Sequence, residues 1–96
     1  MTMGEKNALE KAADYLSFMA FSKKGLIEQL EYEGFTNEEA KFAASNCGAN
    51  WKEQAVLKAK SYLETMSFSK DGLIEQLEFE GFTHEQAVYG AEQNGY

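Results

Sequence analysis

The sequence predicts an all-α protein built as a tandem repeat of two three-helix helix-turn-helix units. Three observations predict it: a long segment that occurs twice, helix-capping residues at matching positions, and apolar residues at helical spacing. Residues 21–36 return as residues 68–83, and Gly25 corresponds to Gly72, which is a period of 47 residues. We therefore divide the chain into a first repeat, residues 1–48, and a second repeat, residues 49–96.

The first two helices are each predicted from an apolar stripe and its boundaries. Residues 1–4 carry no structural signal, so we expect the first helix to span residues 5–19. Its predicted inward positions are Ala8, Leu9, Ala12, Leu16 and Met19. Ser22 begins the second helix, about residues 23–32, because its hydroxyl can accept from the unpaired N–H groups of the first turn. Gly34 ends that helix, since a left-handed backbone costs least without a Cβ.

Thr36 begins the third helix, about residues 37–46, and Glu39 three residues later completes a capping box. The apolar stripe of this helix consists of small residues, which permit close packing: Ala40, Ala43, Ala44 and Cys47. Free cysteine usually behaves as a small hydrophobic residue, so we expect Cys47 to be buried and inert.

The second repeat follows the same plan. Asn50 is predicted to cap the fourth helix, residues 51–66, and Ser69 and Thr83 to cap the fifth and sixth. The inward positions of the fourth helix are Ala55, Val56, Ala59, Leu63 and Met66. The same period therefore predicts a second helix-turn-helix unit.

The connection between the repeats is short, only residues 46–50, so a rigid tandem is expected. A repeat of 47 residues is near the size at which a lone core becomes marginal, and we expect the two units to lean on each other. Trp51 has no aromatic counterpart, since Gly4 occupies the matching position. We interpret Trp51 as a wedge at the junction, with an exposed anchor as the alternative.

Composition argues against several functional classes. The net charge is −7, and all nine basic residues are lysine, against sixteen acidic residues. DNA binding depends on Lys and Arg at phosphates and on Arg at guanine edges, so we expect no nucleic-acid partner despite the helix-turn-helix geometry. His84 stands alone, and no catalytic, metal-binding or phosphate-binding motif is present. We therefore predict no enzyme activity and no cofactor.

The two copies differ in an informative way. Exposed positions of the first helix have drifted, whereas the polar face of the second helix is nearly identical in its repeat, the fifth helix. The predicted partner-binding residues are the acidic and aromatic positions of that face: Glu28, Glu31, Tyr32, Glu33, Glu75, Glu78, Phe79 and Glu80. Such a face would attract a basic partner and offer it two contact points. The alternative is a recent duplication whose copies have drifted unevenly by chance.

Three segments, residues 8–16, 21–36 and 46–51, resemble the Ltp family of host cell surface-exposed lipoproteins, which temperate phages of Gram-positive hosts and some of those hosts encode. The resemblance is carried by the Phe-Ser, Gly-Leu-Ile and Glu-Gly-Phe-Thr elements and extends over nearly the whole chain. It implies lipid anchoring outside the cell and superinfection exclusion, with the tail tape measure protein as partner.

This sequence lacks the signal peptide and lipobox that such anchoring needs, so we expect residues 1–96 to be the soluble part of a protein held at the extracellular face of the cytoplasmic membrane. The leading hypothesis is an acidic binding module that blocks DNA injection by an incoming phage. The alternative is a structural or adaptor module that binds a cell-surface component and has no phage role.

Overall fold

The computed structural model describes residues 1–96 as six α-helices without strands, so the all-α prediction is confirmed. The helices are α1 (Met3–Leu16), α2 (Lys23–Tyr32), α3 (Asn37–Asn46), α4 (Trp51–Leu63), α5 (Lys70–Phe79) and α6 (His84–Glu92). None of them combines the length and the hydropathy of a membrane span. The molecule is elongated, 44 × 21 × 20 Å.

All five predicted caps are present, each accepting from a backbone N–H of the first turn of its helix: Ser22, Thr36, Asn50, Ser69 and Thr83. The expectation that residues 1–4 carry no structural signal was wrong. Thr2 caps α1, and its hydroxyl and the Glu5 carboxylate form a reciprocal capping box. The helix therefore begins at Met3, two residues before the predicted start.

The predicted ends of the first and fourth helices were also wrong. These helices end at Leu16 and Leu63, each three residues early. The chain leaves the helix there because Ser22 and Ser69, a few residues on, must be extended to cap the next helix. Met19 and Met66, predicted to point inward, consequently lie in the connecting turns and are 46% and 51% exposed.

Each repeat has its own hydrophobic core. The first core consists of Ala8, Ala12, Leu26, Leu30, Ala40, Ala43 and Ala44. The second consists of Ala55, Ala59, Leu73, Ile74, Leu77, Phe82, Ala87 and Ala91. In each repeat the third helix packs against the first two, and all the extensive helix packing lies within repeats. Cys47 packs at the edge of the first core and is half-buried rather than fully buried.

The repeats meet through a narrow junction, in which the start of α2 contacts the turn between α5 and α6. The hydroxyl of Ser22, a buried side chain, donates to the carbonyl oxygen of Glu80 at 2.7 Å, and the backbone N–H of Phe21 donates to Gln54 Oε1 at 2.9 Å. Trp51, at the start of α4, packs against the first core, which agrees with its interpretation as a wedge. The repeats are therefore in contact through few residues, and the expectation that each stabilises the other stays a prediction.

Candidate binding surface

The eight predicted partner-binding residues lie on α2 and α5 and in the turns that follow them. Tyr32 and Phe79 are 87% and 84% exposed, so both aromatic rings are accessible to another molecule. The glutamates of this set are exposed as well, except that Glu80 is half-buried beside the junction. What distinguishes these glutamates from one another is whether another side chain of the protein already engages them.

Glu33 and Glu80 are held by a hydrogen-bond network that both repeats contain. The Tyr15 hydroxyl donates to the Glu33 carboxylate and accepts from Gln29 Nε2 at 3.2 Å. In the second repeat the Tyr62 hydroxyl donates to Glu80 at 2.5 Å and accepts from Gln76 Nε2 at 3.2 Å. The matching glutamates and glutamines therefore have a structural reason to be identical.

The two tyrosines titrate abnormally for different main reasons. The hydrogen bond to Glu33, and then burial, raise the pKa of Tyr15 above its usual 10.0. Burial raises the pKa of Tyr62 first, and the hydrogen bond to Glu80 adds to it. Sequence reasoning missed this network, although a signal existed: Tyr15 and Tyr62 are identical in first helices whose exposed positions have drifted.

The next pair, Glu31 and Glu78, is engaged by the first residue of the following helix. Asn37 Nδ2 donates to Glu31 Oε2 at 3.0 Å, and His84 Nδ1 lies 3.0 Å from Glu78 Oε2. His84 is thus the counterpart of Asn37 in both position and contact. These contacts join the end of the second helix to the start of the third in both units.

Glu28 and Glu75 are the two glutamates of the predicted set that no other side chain of the protein engages. Both carboxylates are exposed, and neither forms a side-chain hydrogen bond or an ion pair within the protein. Together with Tyr32 and Phe79 they form what we call the acidic-aromatic surface. Internal contacts explain the other identical carboxylates of the face, so this pair is the part of the repeated pattern that lacks a structural explanation.

The acidic-aromatic surface continues across the junction. A groove of about 350 Å³ is lined by Glu28 of the first repeat and by Phe79 and Glu80 of the second. Lys58, which also lines this groove, lies 3.6 Å from Glu80 and neutralises part of its charge. An open acidic groove with an exposed aromatic ring is suited to binding a basic segment of a protein rather than to transforming a small molecule.

Comparison with known proteins gives two findings. A family model described as host cell surface-exposed lipoprotein matches the chain twice, over residues 4–47 and 50–93. The structure is similar to that of Ltp, a superinfection exclusion protein from the Streptococcus thermophilus temperate phage TP-J34, with a TM-score of 0.89, 33% sequence identity and coverage of 96% of each chain. Among curated proteins no match was found.

Proposed function

The chain belongs to the Ltp family of host cell surface-exposed lipoproteins and is a homologue of a superinfection exclusion protein, and we propose that it blocks DNA injection by an incoming phage. In this proposal the protein binds a tail component and catalyses no reaction. We place it at the extracellular face of the cytoplasmic membrane of a Gram-positive host, held by an N-terminal lipid. The similarity over 96% of both chains supports the proposal.

We propose that the partner is the tail tape measure protein, and that the acidic-aromatic surface binds a basic segment of it. The observation that carries this step is the pair Glu28 and Glu75, which are identical in both repeats, exposed and without a partner. A chain of net charge −7 attracts a basic segment over distance, and two similar contact points on one chain strengthen its retention. Tyr32 and Phe79 offer apolar anchors beside the charges.

The test reverses the two unpartnered charges. Cells that display the Glu28→Lys/Glu75→Lys variant should lose exclusion, and the purified variant should retain tape measure protein from disrupted tails at least about tenfold less well, because like charges now face the basic segment. Phage adsorption should be unchanged, since the proposed block acts on DNA entry. Plaquing efficiency, DNA entry and pull-down measure the three effects.

The matched control is Glu10→Lys/Glu64→Lys, which makes the same change in net charge at Glu10 on α1 and at Glu64, the C-cap residue of α4. These glutamates are exposed and form no side-chain contact with another charged group. The control should exclude phage normally. Equal loss in both variants would mean that only net charge matters, and undiminished exclusion by Glu28→Lys/Glu75→Lys would contradict the proposed surface. Retention of a host surface component instead of a tail protein would favour the adaptor role.

A further inference from the structure

The charged side chains of α2 are placed unfavourably with respect to the dipole of that helix. Lys23 and Lys24 lie in its first turn and Glu31 in its last, although the positive N-terminus of a helix favours anions and its C-terminus favours cations. In α5 the matching charges are compensated: Lys70 lies 3.0 Å from Glu92, and Asp71 replaces the second lysine. The ends of α2 are therefore electrostatically unsatisfied within the chain.

The lysine end of α2 opens on a second groove at the junction, with a volume of about 470 Å³. Lys23, Lys24 and Lys41 line it, together with the half-buried side chains of Ile27 and Trp51. The one carboxylate among the lining residues is Glu28. We call this the lysine–tryptophan groove.

The three lysines are free to bind a ligand. The four ion pairs of the protein use Lys52, Lys58, Lys70 and His84, all in the second repeat, so no lysine of the groove has an acidic partner. The second repeat does not reproduce the cluster, because Asp71 and Val88 stand at the positions of Lys24 and Lys41. The groove is a property of the first repeat and of the junction.

The groove fits an acidic segment that also carries an aromatic side chain. Three ammonium groups favour carboxylates, and Trp51 and Ile27 offer apolar contact. A phosphate cradle is not formed by the neighbouring start of α6, because Thr83 and Gln86 engage each other's backbone N–H groups. A polyanion without apolar groups would leave the side chains of Trp51 and Ile27 uncovered.

The chain itself contains such a segment at the other end of α2. Tyr32 is 87% exposed between Glu31 and Glu33, and neither glutamate has a cationic partner. The equivalent segment around Phe79 is less suitable, because His84 lies beside Glu78 and Lys58 beside Glu80. We call residues 31–33 the acidic tip.

We propose that the lysine–tryptophan groove binds the acidic tip of a second copy of this chain, with Tyr32 against Trp51 and Glu31 among the lysines. Because the two surfaces are different, the association is head-to-tail, and each dimer keeps one free groove and one free tip to which further copies can add. A copy with a neighbour at each surface has both ends of α2 satisfied. The association would also cover Tyr32, so self-association and the proposed binding of a phage protein would compete for the acidic-aromatic surface.

The first experiment measures the mass of the purified chain by sedimentation from micromolar to millimolar concentration. The mass should rise with concentration at low salt and fall back in high salt, since the contact is largely electrostatic. Trp51 is the sole tryptophan, so its fluorescence should change over the same range. A chain that stays monomeric throughout would overturn the proposal.

The second experiment mutates the lysine–tryptophan groove and the acidic tip separately. The groove variant Lys23→Glu/Lys24→Glu/Lys41→Glu and the tip variant Glu31→Lys/Tyr32→Ala should each associate at least tenfold more weakly alone. Their equimolar mixture should form a dimer and nothing larger, because it contains one intact groove and one intact tip per pair. Glutamates in the first turn of α2 agree with its dipole, so the groove variant should keep its helicity.

The control Lys6→Glu/Lys11→Glu/Lys60→Glu makes the same charge change with three other lysines that form no ion pair. It should still self-associate. A mixture of groove and tip variants that stays monomeric, or a Trp51 response to inorganic phosphate and not to a peptide of residues 28–35, would overturn the proposal. No phage component is present, so failure here leaves the exclusion test on Glu28 and Glu75 unaffected.

Discussion

The two repeats share their helices, their caps and their tyrosine networks, but they differ in how their charges are partnered. Every ion pair of the protein lies within the second repeat, and no lysine of the first repeat has an acidic partner. The second repeat therefore pairs several of its charges internally, whereas the lysines of the first repeat are all unpaired. Internal contacts hold most of the carboxylates that are identical in both repeats, whereas Glu28 and Glu75 are identical and unpartnered and so remain available to other molecules.

The repeats also differ at the junction. Ser22 and Ser69 cap equivalent helices, yet they differ in their surroundings. Ser22 is buried and its hydroxyl also donates a hydrogen bond to the carbonyl oxygen of Glu80, whereas Ser69 is exposed. Likewise, a Cβ added at Gly81 would contact Ser22 and Lys24 at the start of α2, whereas one added at its counterpart Gly34 would have no neighbour within 4 Å. The same residue in the same local structure therefore makes different contacts in the two repeats.

The largest expected effect is the loss of stability when a leucine in one of the two hydrophobic cores is replaced. Leu30 and Leu77 are equivalent and fully buried, so replacing either by alanine should cost about 2–5 kcal/mol of unfolding free energy. Because the cores are separate, each change should mainly unfold its own repeat. In a denaturant titration of either variant, helical circular dichroism should be lost in two phases. Trp51 begins α4 and packs against the first core, so its fluorescence should change in the first phase in both variants.

A single transition, coincident for both probes in both variants, would contradict this prediction, because it would show that the narrow junction couples the repeats into one cooperative unit. The wild-type chain, titrated in the same way, is the reference for both probes.

The junction is tested by a matched pair of glycines. Gly34 and Gly81 both have φ of +106°, so alanine strains the backbone at either by roughly 1–3 kcal/mol. At Gly81 the added Cβ would also lie 2.7 Å from Ser22 Oγ and 3.0 Å from Lys24 Cβ, whereas at Gly34 nothing lies within 4 Å. Gly81→Ala should therefore lose about 1 kcal/mol or more beyond Gly34→Ala in urea unfolding. Equal losses would show that the junction yields without cost.

The smallest expected effect is a difference between the two tyrosine networks in how strongly each glutamate raises the pKa of its tyrosine. Both folded-state pKa values are raised, so the stability they contribute is complete below about pH 10 and is lost as the pH rises further. The main cause differs, since Tyr15 depends first on its bond to Glu33 and Tyr62 first on burial. Absorbance titration of tyrosinate should show that Glu33→Gln brings Tyr15 closer to its usual pKa than Glu80→Gln brings Tyr62. Equal responses would contradict this assignment.

The amino-acid sequence alone predicts the six helices, five of their N-caps and the period of 47 residues, because capping and amphipathic spacing act over only a few residues. It did not reveal that Thr2 starts α1 or that α1 and α4 stop before their methionines, since those boundaries depend on how the connecting turns close. It named the polar face of α2 and α5, but could not separate Glu33 and Glu80, engaged by tyrosines, from the unpartnered Glu28 and Glu75.

Which member of each identical pair is buried, bonded or free depends on how the two repeats pack against each other. Ser22 differs from Ser69, and Gly81 from Gly34, because the second repeat sits on one end of the first and brings its own turn against that end alone. The same placement gathers Lys23, Lys24 and Lys41 around Trp51. The physical reason is distance: hydrogen bonds and ion pairs act between neighbours in space, and a contact between residues 58 positions apart leaves no local mark in the sequence.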